Sequence, residues 1–175
     1  MAQAKPKQKF FDVDMPLVGK ETQLYAYNIE ELNGRNITYD MTRILRGKSV
    51  LINLKVKVDG GKATSSPTEL LILPYFIRRM IRKGVNYVED SFTANTKDAK
   101  VEIKPFLITR KKVSRAVRKA LRERARQEIK SYMENKTAES IFEEIIQNKM
   151  QKPLSLILKK IYPLSLCEIR MFKIK

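Results

Sequence analysis

The side chains with chemistry to offer are cations gathered on one helical repeat. Between Arg110 and Lys130 stand ten basic residues (Arg110, Lys111, Lys112, Arg115, Arg118, Lys119, Arg122, Arg124, Arg126 and Lys130) against two acidic ones, Glu123 and Glu128, a net +8. At ~100° per residue, Arg115, Arg118, Lys119, Arg122, Arg126 and Lys130 fall within an arc of roughly 120°. The helical repeat sets that arc opposite an apolar stripe of Val117, Ala120, Leu121, Ala125, Ile129 and Met133. Arg124 falls on the apolar side, where its stem can snorkel outward. Like charges four residues apart cost a helix about 0.2–0.5 kcal/mol per pair, and a face serving only solvation would intersperse Glu. Phosphate binding is the chemistry that explains such a face, because guanidinium forks match phosphate oxygens and a polyanion supplies the missing counter-charge. An anionic membrane is the weaker match, since this helix lacks a bulky aromatic-apolar face.

Two smaller basic groups accompany it. Arg78, Arg79, Arg82 and Lys83 occur with no acidic residue between Pro74 and Asn86, and Lys5, Lys7 and Lys9 lie in a short N-terminal arm. Together with the main cluster they suggest a broad surface that meets structured RNA at several points.

Other arrangements that resemble sites are weaker. Arg46-Gly47-Lys48-Ser49 looks like the end of a phosphate-binding loop, but position 42 is Thr where that motif requires Gly, and a strand follows instead of a helix. Glu143-Glu144 and the Asp12/Asp14 pair are carboxylates without a histidine or a Gly-rich loop nearby, which leaves general acid–base work without its usual apparatus. Tyr25, Tyr27, Phe92 and Phe106 have rings that could stack bases or fill a core. Cys167, between Leu166 and Ile169, reads as a small buried hydrophobe.

Composition narrows the classes further. The chain of 175 residues holds 36 Lys+Arg and 19 Asp+Glu, giving a formal +17, with no His, no Trp and one Cys. Lack of His removes the commonest general base and any His-containing zinc site, and one Cys forbids an internal disulfide. No stretch approaches the ~18 apolar residues of a membrane span, and Asp12 and Asp14 interrupt any apolar segment after the basic N-terminus. The expectation is a cytoplasmic, non-enzymatic protein without cofactor, metal or small-molecule substrate, whose charge is offset by a polyanion.

The elements that must position these cations follow from periodicity. Phe10–Val13, Gln23–Ile29, Ile37–Met41 and Val50–Val58 read as strands, with turns at Asn33-Gly34 and Asp59-Gly60-Gly61 and a loop around Ser65-Ser66-Pro67. Pro74 and Gly84 bracket a short helix. Asn86–Ala94 and Lys100–Thr109 form a second hairpin, and helices follow from about Ser114 to Met133, after Thr137 or Ser140 as N-cap, and from about Pro153 to Ile161. Strands first and helices later imply an α+β fold, an antiparallel sheet or partial β-barrel with a short helix inserted and longer helices toward the C-terminus. The expected organisation is a basic arm over 1–9 and a single RNA-binding domain over 10–175, strand-rich to about 112, helix-rich over about 113–162, with a C-terminal strand over about 166–174.

The order of the motifs resembles the S-three-A (eS-one) family of small-subunit ribosomal proteins shared by archaea and eukaryotes. Lys9-Phe10-Phe11-Asp12-Val13 before Pro16 resembles the family's basic-aromatic-aromatic-x-Val segment, and Leu32-Asn33-Gly34-Arg35 its Leu-x-Gly-Arg turn. Arg78–Gly84 resembles the basic helix ending in Gly, Thr96-Lys97-Asp98 the Thr-Lys-Asp-Gly hairpin, and Ile161-Tyr162-Pro163-Leu164 with Glu168-Ile169-Arg170 a C-terminal signature. Phe10 stands where Trp is usual, and Ala99 replaces Gly, which favours a type I turn over the primed types. The short tail and the Glu168-Ile169-Arg170 form point to an archaeal-like member. The resemblance implies a structural protein of the small-subunit platform, near the 3′ end of the small-subunit RNA, with ribosomal-protein neighbours. A free-standing RNA-binding or ribosome-assembly factor that visits ribosomes transiently is the alternative.

Overall fold

The structure is a computed structural model that describes residues 7–175. Its strands are β1 (Lys9–Met15), β2 (Lys20–Ala26), β3 (Asn36–Asp40), β4 (Val50–Asp59), β5 (Lys62–Ile72), β6 (Tyr87–Glu89), β7 (Phe92–Asn95), β8 (Lys100–Thr109) and β9 (Leu164–Ile174). The helices are α1 (Pro74–Met80), α2 (Arg115–Met133), α3 (Ala138–Ile146) and α4 (Gln151–Leu158), with a 3-10 turn at Ile29–Leu32. Among the described residues the nine strands form one open, mixed sheet along the path β2-β1-β5-β9-β8-β6, with β3 on β4, β4 on β5 and β7 on β8. This is the expected α+β class. β1 pairs with β5 in parallel at Val13–Ala63, whereas β1–β2, β5–β9, β9–β8, β8–β6 and β8–β7 are antiparallel.

The chain divides into two compact units, residues 1–39 with 53–68, and residues 40–52 with 69–175. In the first unit, Val13, Ala26, Leu32, Val56 and Ala63 form the core, and Gly60 and Gly61 take positive φ in the tight β4–β5 turn. β5 corrects the loop expected around Ser65-Ser66-Pro67. Ala63, Ser65 and Pro67 are buried at period two, but they are small or turn-forming residues, and so the strand alternation is easily overlooked.

In the second unit β8 is central. The hairpin arm expected over Asn86–Ala94 is two strands, because its register with β8 sets Asp90 and Ser91 across from Pro105 and Lys104, and Pro105 has no N–H to give. α1 ends at Met80, short of Gly84, so Arg82 and Lys83 lie in the turn that follows. Leu121, Ala125, Ile129 and Met133 of α2 are buried, as are Ile141, Phe142 and Ile145 of α3, and Phe142 meets Phe172 of β9 edge-on at 4.7 Å. The Arg46–Ser49 segment is structural: Lys48 Nζ donates to Glu168 Oε2 at 2.6 Å and Asn148 Oδ1 at 3.1 Å in a mostly buried polar cluster. Burial, with the charge of Glu168, pushes the Cys167 thiol up to about 12, so it carries no thiolate at neutral pH.

The turn after β7 ties α3 to the sheet. No residue of 96–99 has positive φ, in keeping with the Ala99 substitution. Asp98 Oδ1 accepts from the Thr96 hydroxyl and from the Ala138 N–H, each at 2.9 Å, while Thr137 caps α3 by accepting from the Ser140 N–H. Partial burial opposes ionisation of Asp98, but the Ala138 N–H and the Thr96 hydroxyl outweigh it and hold its pKa below the ordinary carboxylate value. A folded pKa below the unfolded value gives stability that is complete above pH ~4 and lost as pH falls through the folded value. Asp98→Ala is therefore expected to cost about 1 kcal/mol at neutral pH, a drop of ~2–4 °C in Tm. The gap from the parent should narrow near pH ~3, as thermal unfolding at both pH values will show.

Candidate nucleic-acid interface

Charge is distributed unevenly between the units. The first holds eight Lys/Arg and six Asp/Glu, net +2, and the second twenty-eight and thirteen, net +15. The binding surface is to be sought in the second unit, on α2.

The start of α2 is fixed by β8. Thr109, fully buried at the end of that strand, donates its hydroxyl to the Lys111 carbonyl (2.7 Å) and its backbone N–H to the Asn86 carbonyl (2.9 Å), and its Oγ1 accepts the Asn86 N–H. Asn86 Oδ1 accepts in turn from the Val113 N–H at 2.9 Å. These bonds hold the exposed Arg110, Lys111 and Lys112 and deliver the chain to Ser114, whose side chain caps α2 by accepting from Val117.

The basic arc of α2 does not lie opposite its buried row. Leu121, Ala125, Ile129 and Met133 are four apart, and at ~100° per residue each step overshoots a full turn by ~40°, so the row winds under the arc. Arg118 and Ala125, Arg122 and Ile129, and Arg126 and Met133 are each seven residues apart, hence only ~20° apart in direction. The consequence is a division of labour. Arg126 grips Asp90 with two parallel bonds of 2.9 Å, its guanidinium lies 5.4 Å from the Phe92 ring centre, and Lys130 covers the same ring at 5.9 Å. The Asp90 hydrogen bond, then its charge, raises the pKa of Arg126. Arg124, expected on the apolar side, is exposed and pairs with Glu128 at 2.6 Å.

The N-terminal half of α2 keeps its cations available. Arg115, Arg118, Lys119 and Arg122 line a groove of about 620 Å³ whose other wall is Ile81, Val85, Asn86 and β6. Arg115 and Arg122 have no partner among the described residues, and Lys119 makes only a long exposed contact with Glu123 at 3.9 Å. Arg118 is half-buried, with a solvent-shielded Nε that has no acceptor among the described residues. The one carboxylate in the groove, Glu89, is neutralised by Arg170. No acidic residue occupies the first turn of α2. Its positive dipole end is thus crowded with cations, an arrangement that disfavours the free helix and favours a bound anion.

The remaining expected residues fall elsewhere. Arg78 and Arg79 are exposed on α1, Arg79 over the Phe76 ring at 5.3 Å, and Arg82 and Lys83 lie between Ile81 and Val85 of the groove wall. Lys7 and Lys9 are exposed in the first unit, Lys9 opening β1, and Lys5 lies outside the described residues. Phe92 and Phe106 are core, while Tyr25 and Tyr27 are exposed. Sequence reading missed Tyr87, which is 52% exposed in the groove; the alternation with buried Val88 in Tyr87-Val88-Glu89 is the signal that would have found it.

A model of the Ribosomal S3Ae family matches residues 5–175. The chain is 27% identical over 122 residues to small ribosomal subunit protein eS1 of Methanothermobacter thermautotrophicus, covering 67% of this chain and 63% of that protein. It therefore spans less than two thirds of that relative. Proteins of the same name from Halorubrum lacusprofundi (28% identity, 81% of this chain and 68% of the relative) and Nanoarchaeum equitans (26%, 93% and 86%) are also similar.

The two halves of α2 should respond differently to mutation. Arg126→Ala is expected to cost up to about 1 kcal/mol of folding stability through loss of the Asp90 fork. Arg122→Ala should stay within about 0.5 kcal/mol of the parent. Chemical denaturation of both, with a double-mutant cycle to Asp90→Ala, checks this; equal effects would remove the distinction.

Proposed function

The chain belongs to the Ribosomal S3Ae family of small-subunit ribosomal proteins, and from that premise we propose that it is a structural component of the small subunit that binds its ribosomal RNA through the second unit. The observation that carries this is the free, dipole-opposed set of cations on the first half of α2, continued by Arg110, Lys111 and Lys112. Duplex phosphates along that ridge would satisfy charges that the fold leaves without partners. Arg78, Arg79, Arg82 and Lys83 would extend the contact beyond the groove wall. The family resemblance further suggests the platform near the 3′ end of the RNA, with neighbouring ribosomal proteins around it. The archaeal relatives are named as ribosomal proteins, so the role is not an enzyme's. Among the described residues no three His, Cys, Asp or Glu side chains converge as metal ligands, and no helix is long and apolar enough to cross a membrane.

Co-sedimentation of native lysate on a sucrose gradient tests the assignment. Near one copy per small subunit, retained through a wash at about 0.5 M salt, is the expected result. Sub-stoichiometric protein stripped into light fractions would identify a transient factor instead. For the interface, six phosphate contacts from the free ridge imply a salt slope of about −5 on duplex-rich RNA. Arg115→Gln with Arg122→Gln should reduce that slope by about two. The same pair should leave Tm unchanged or slightly raised, because Arg115 opposes the helix dipole and Arg122 has no partner among the described residues. Loss of affinity together with loss of fold would contradict the assignment.

A further inference from the structure

The groove between β6 and α2 has two chemically different walls, and a phosphate backbone uses only one of them. On the α2 side are Arg115, Arg118 and Arg122. Facing them are Tyr87, 52% exposed, and Ile81, 37% exposed, both more solvent-accessible than an apolar surface without a partner favours. The Tyr87 ring is not loose. It lies nearly parallel to buried Phe106, centroids 5.8 Å apart at 25°, so its free face is already held in place. Tyr87 and Glu89, whose backbone groups point away from β8, both line the groove with Val88 between them, so β6 borders it along its whole length. β6 is the last strand on its side of the sheet, so the N–H and C=O groups on that edge have no strand to pair with. The volume of about 620 Å³ suits a small organic ligand.

A fixed aromatic face, a hydrogen-bonding edge and a guanidinium wall, all within one groove, match the parts of a nucleotide whose base is out of its helix. We infer that the groove seats one unpaired nucleotide of the bound RNA. Its base stacks on Tyr87 beside Ile81, its edge faces the β6 backbone, and its phosphates meet Arg115, Arg118 and Arg122. The shielded Nε–H of Arg118 fits this role, since a partly desolvated guanidinium attracts an entering phosphate more strongly than a hydrated one. An acidic peptide would use the arginines and the strand edge, but it offers nothing flat to the Tyr87 face. The inference rests on the RNA-binding reading and specifies what the groove recognises.

The experiment compares two RNA hairpins of equal length, one fully paired and one carrying a single bulged uridine, binding to the full chain in fluorescence anisotropy. The bulged hairpin should bind about tenfold more tightly. Tyr87→Ala should erase that preference, and Tyr87→Phe should keep it, because stacking does not need the hydroxyl. With 4-thiouridine at the bulge, photocrosslinking to the unmutated chain should map to residues 81–88, a readout independent of any variant's folding. Equal affinity for both hairpins, or a cross-link elsewhere, would overturn the nucleotide site while leaving RNA binding in place. Failure to bind either hairpin would overturn both readings. Displacement of the bulged hairpin by polyglutamate at lower concentration than by the paired hairpin would reassign the groove to an acidic protein segment.

Discussion

Both walls of the groove are placed by a single strand, β8, through ordinary backbone pairing. On one side it pairs with β9 along its length, and on the other with β6 and then β7, so β6 is held at a defined height on the sheet edge. At its C-terminal end buried Thr109 binds Asn86 and Lys111, and Asn86 binds Val113, which sets the point where α2 begins. Pro105 in the middle of β8 interrupts the neighbouring ladder opposite Asp90, and it is Asp90 that anchors the far half of α2 through Arg126. The helix is thereby pinned at both ends relative to the strand. A cationic ridge on a loosely tethered helix would surrender much of its affinity to ordering; here the fold orders it before any ligand arrives.

The same arrangement explains why a strongly basic chain folds. Several of its cations are committed internally: Arg126 to Asp90, Arg170 to Glu89, Lys48 to Glu168, and Lys136 to Glu144 at 2.5 Å beneath the Tyr132 ring. Each of these pairs has at least one partner mostly shielded from solvent, or links a strand to another element, and so contributes to register as well as charge balance. The cations left over are grouped, and they are grouped where the helix dipole makes them least comfortable. Stability alone does not produce that pattern.

How far the interface was legible in the sequence depends on whether the signal was local. The helical repeat located α2 from about Ser114 to Met133 and the residues Leu121, Ala125, Ile129 and Met133, because side-chain spacing along one helix is set by the chain itself. What spacing could not reveal was which cations would be used up. Arg126 and Arg122 sit on the same arc, and only Asp90, thirty-six residues upstream and placed at the break between β6 and β7, distinguishes them. Ser65-Ser66-Pro67 carries turn chemistry, yet pairing with neighbouring strands overrides it. Tyr87 lay unremarked in the arm expected over Asn86–Ala94, because its importance comes from Phe106 behind it and α2 across from it, both non-local. The whole-chain motif order, by contrast, was readable without any three-dimensional information, and it supplied the family.

Those non-local terms also set the limits of exchange between stability and binding. Leu121, Ala125, Ile129 and Met133 wind beneath the basic arc, so a place on that arc does not by itself decide whether a cation is free or structural. At Arg115 the side chain answers only to solvent and ligand; at Arg118 it is half-buried with an unanswered Nε–H; at Arg126 it is part of the scaffold. Under the proposed function this division would hold an RNA surface rigidly, because Arg126 fastens the helix to the sheet while Arg115 and Arg122 are left unneutralised. The cost falls on the free chain, whose first helical turns concentrate positive charge at a positive dipole end, and a bound polyanion would remove it. Under the proposed function, binding would relieve a tension already present in the fold, with RNA as the counter-ion that α2 lacks.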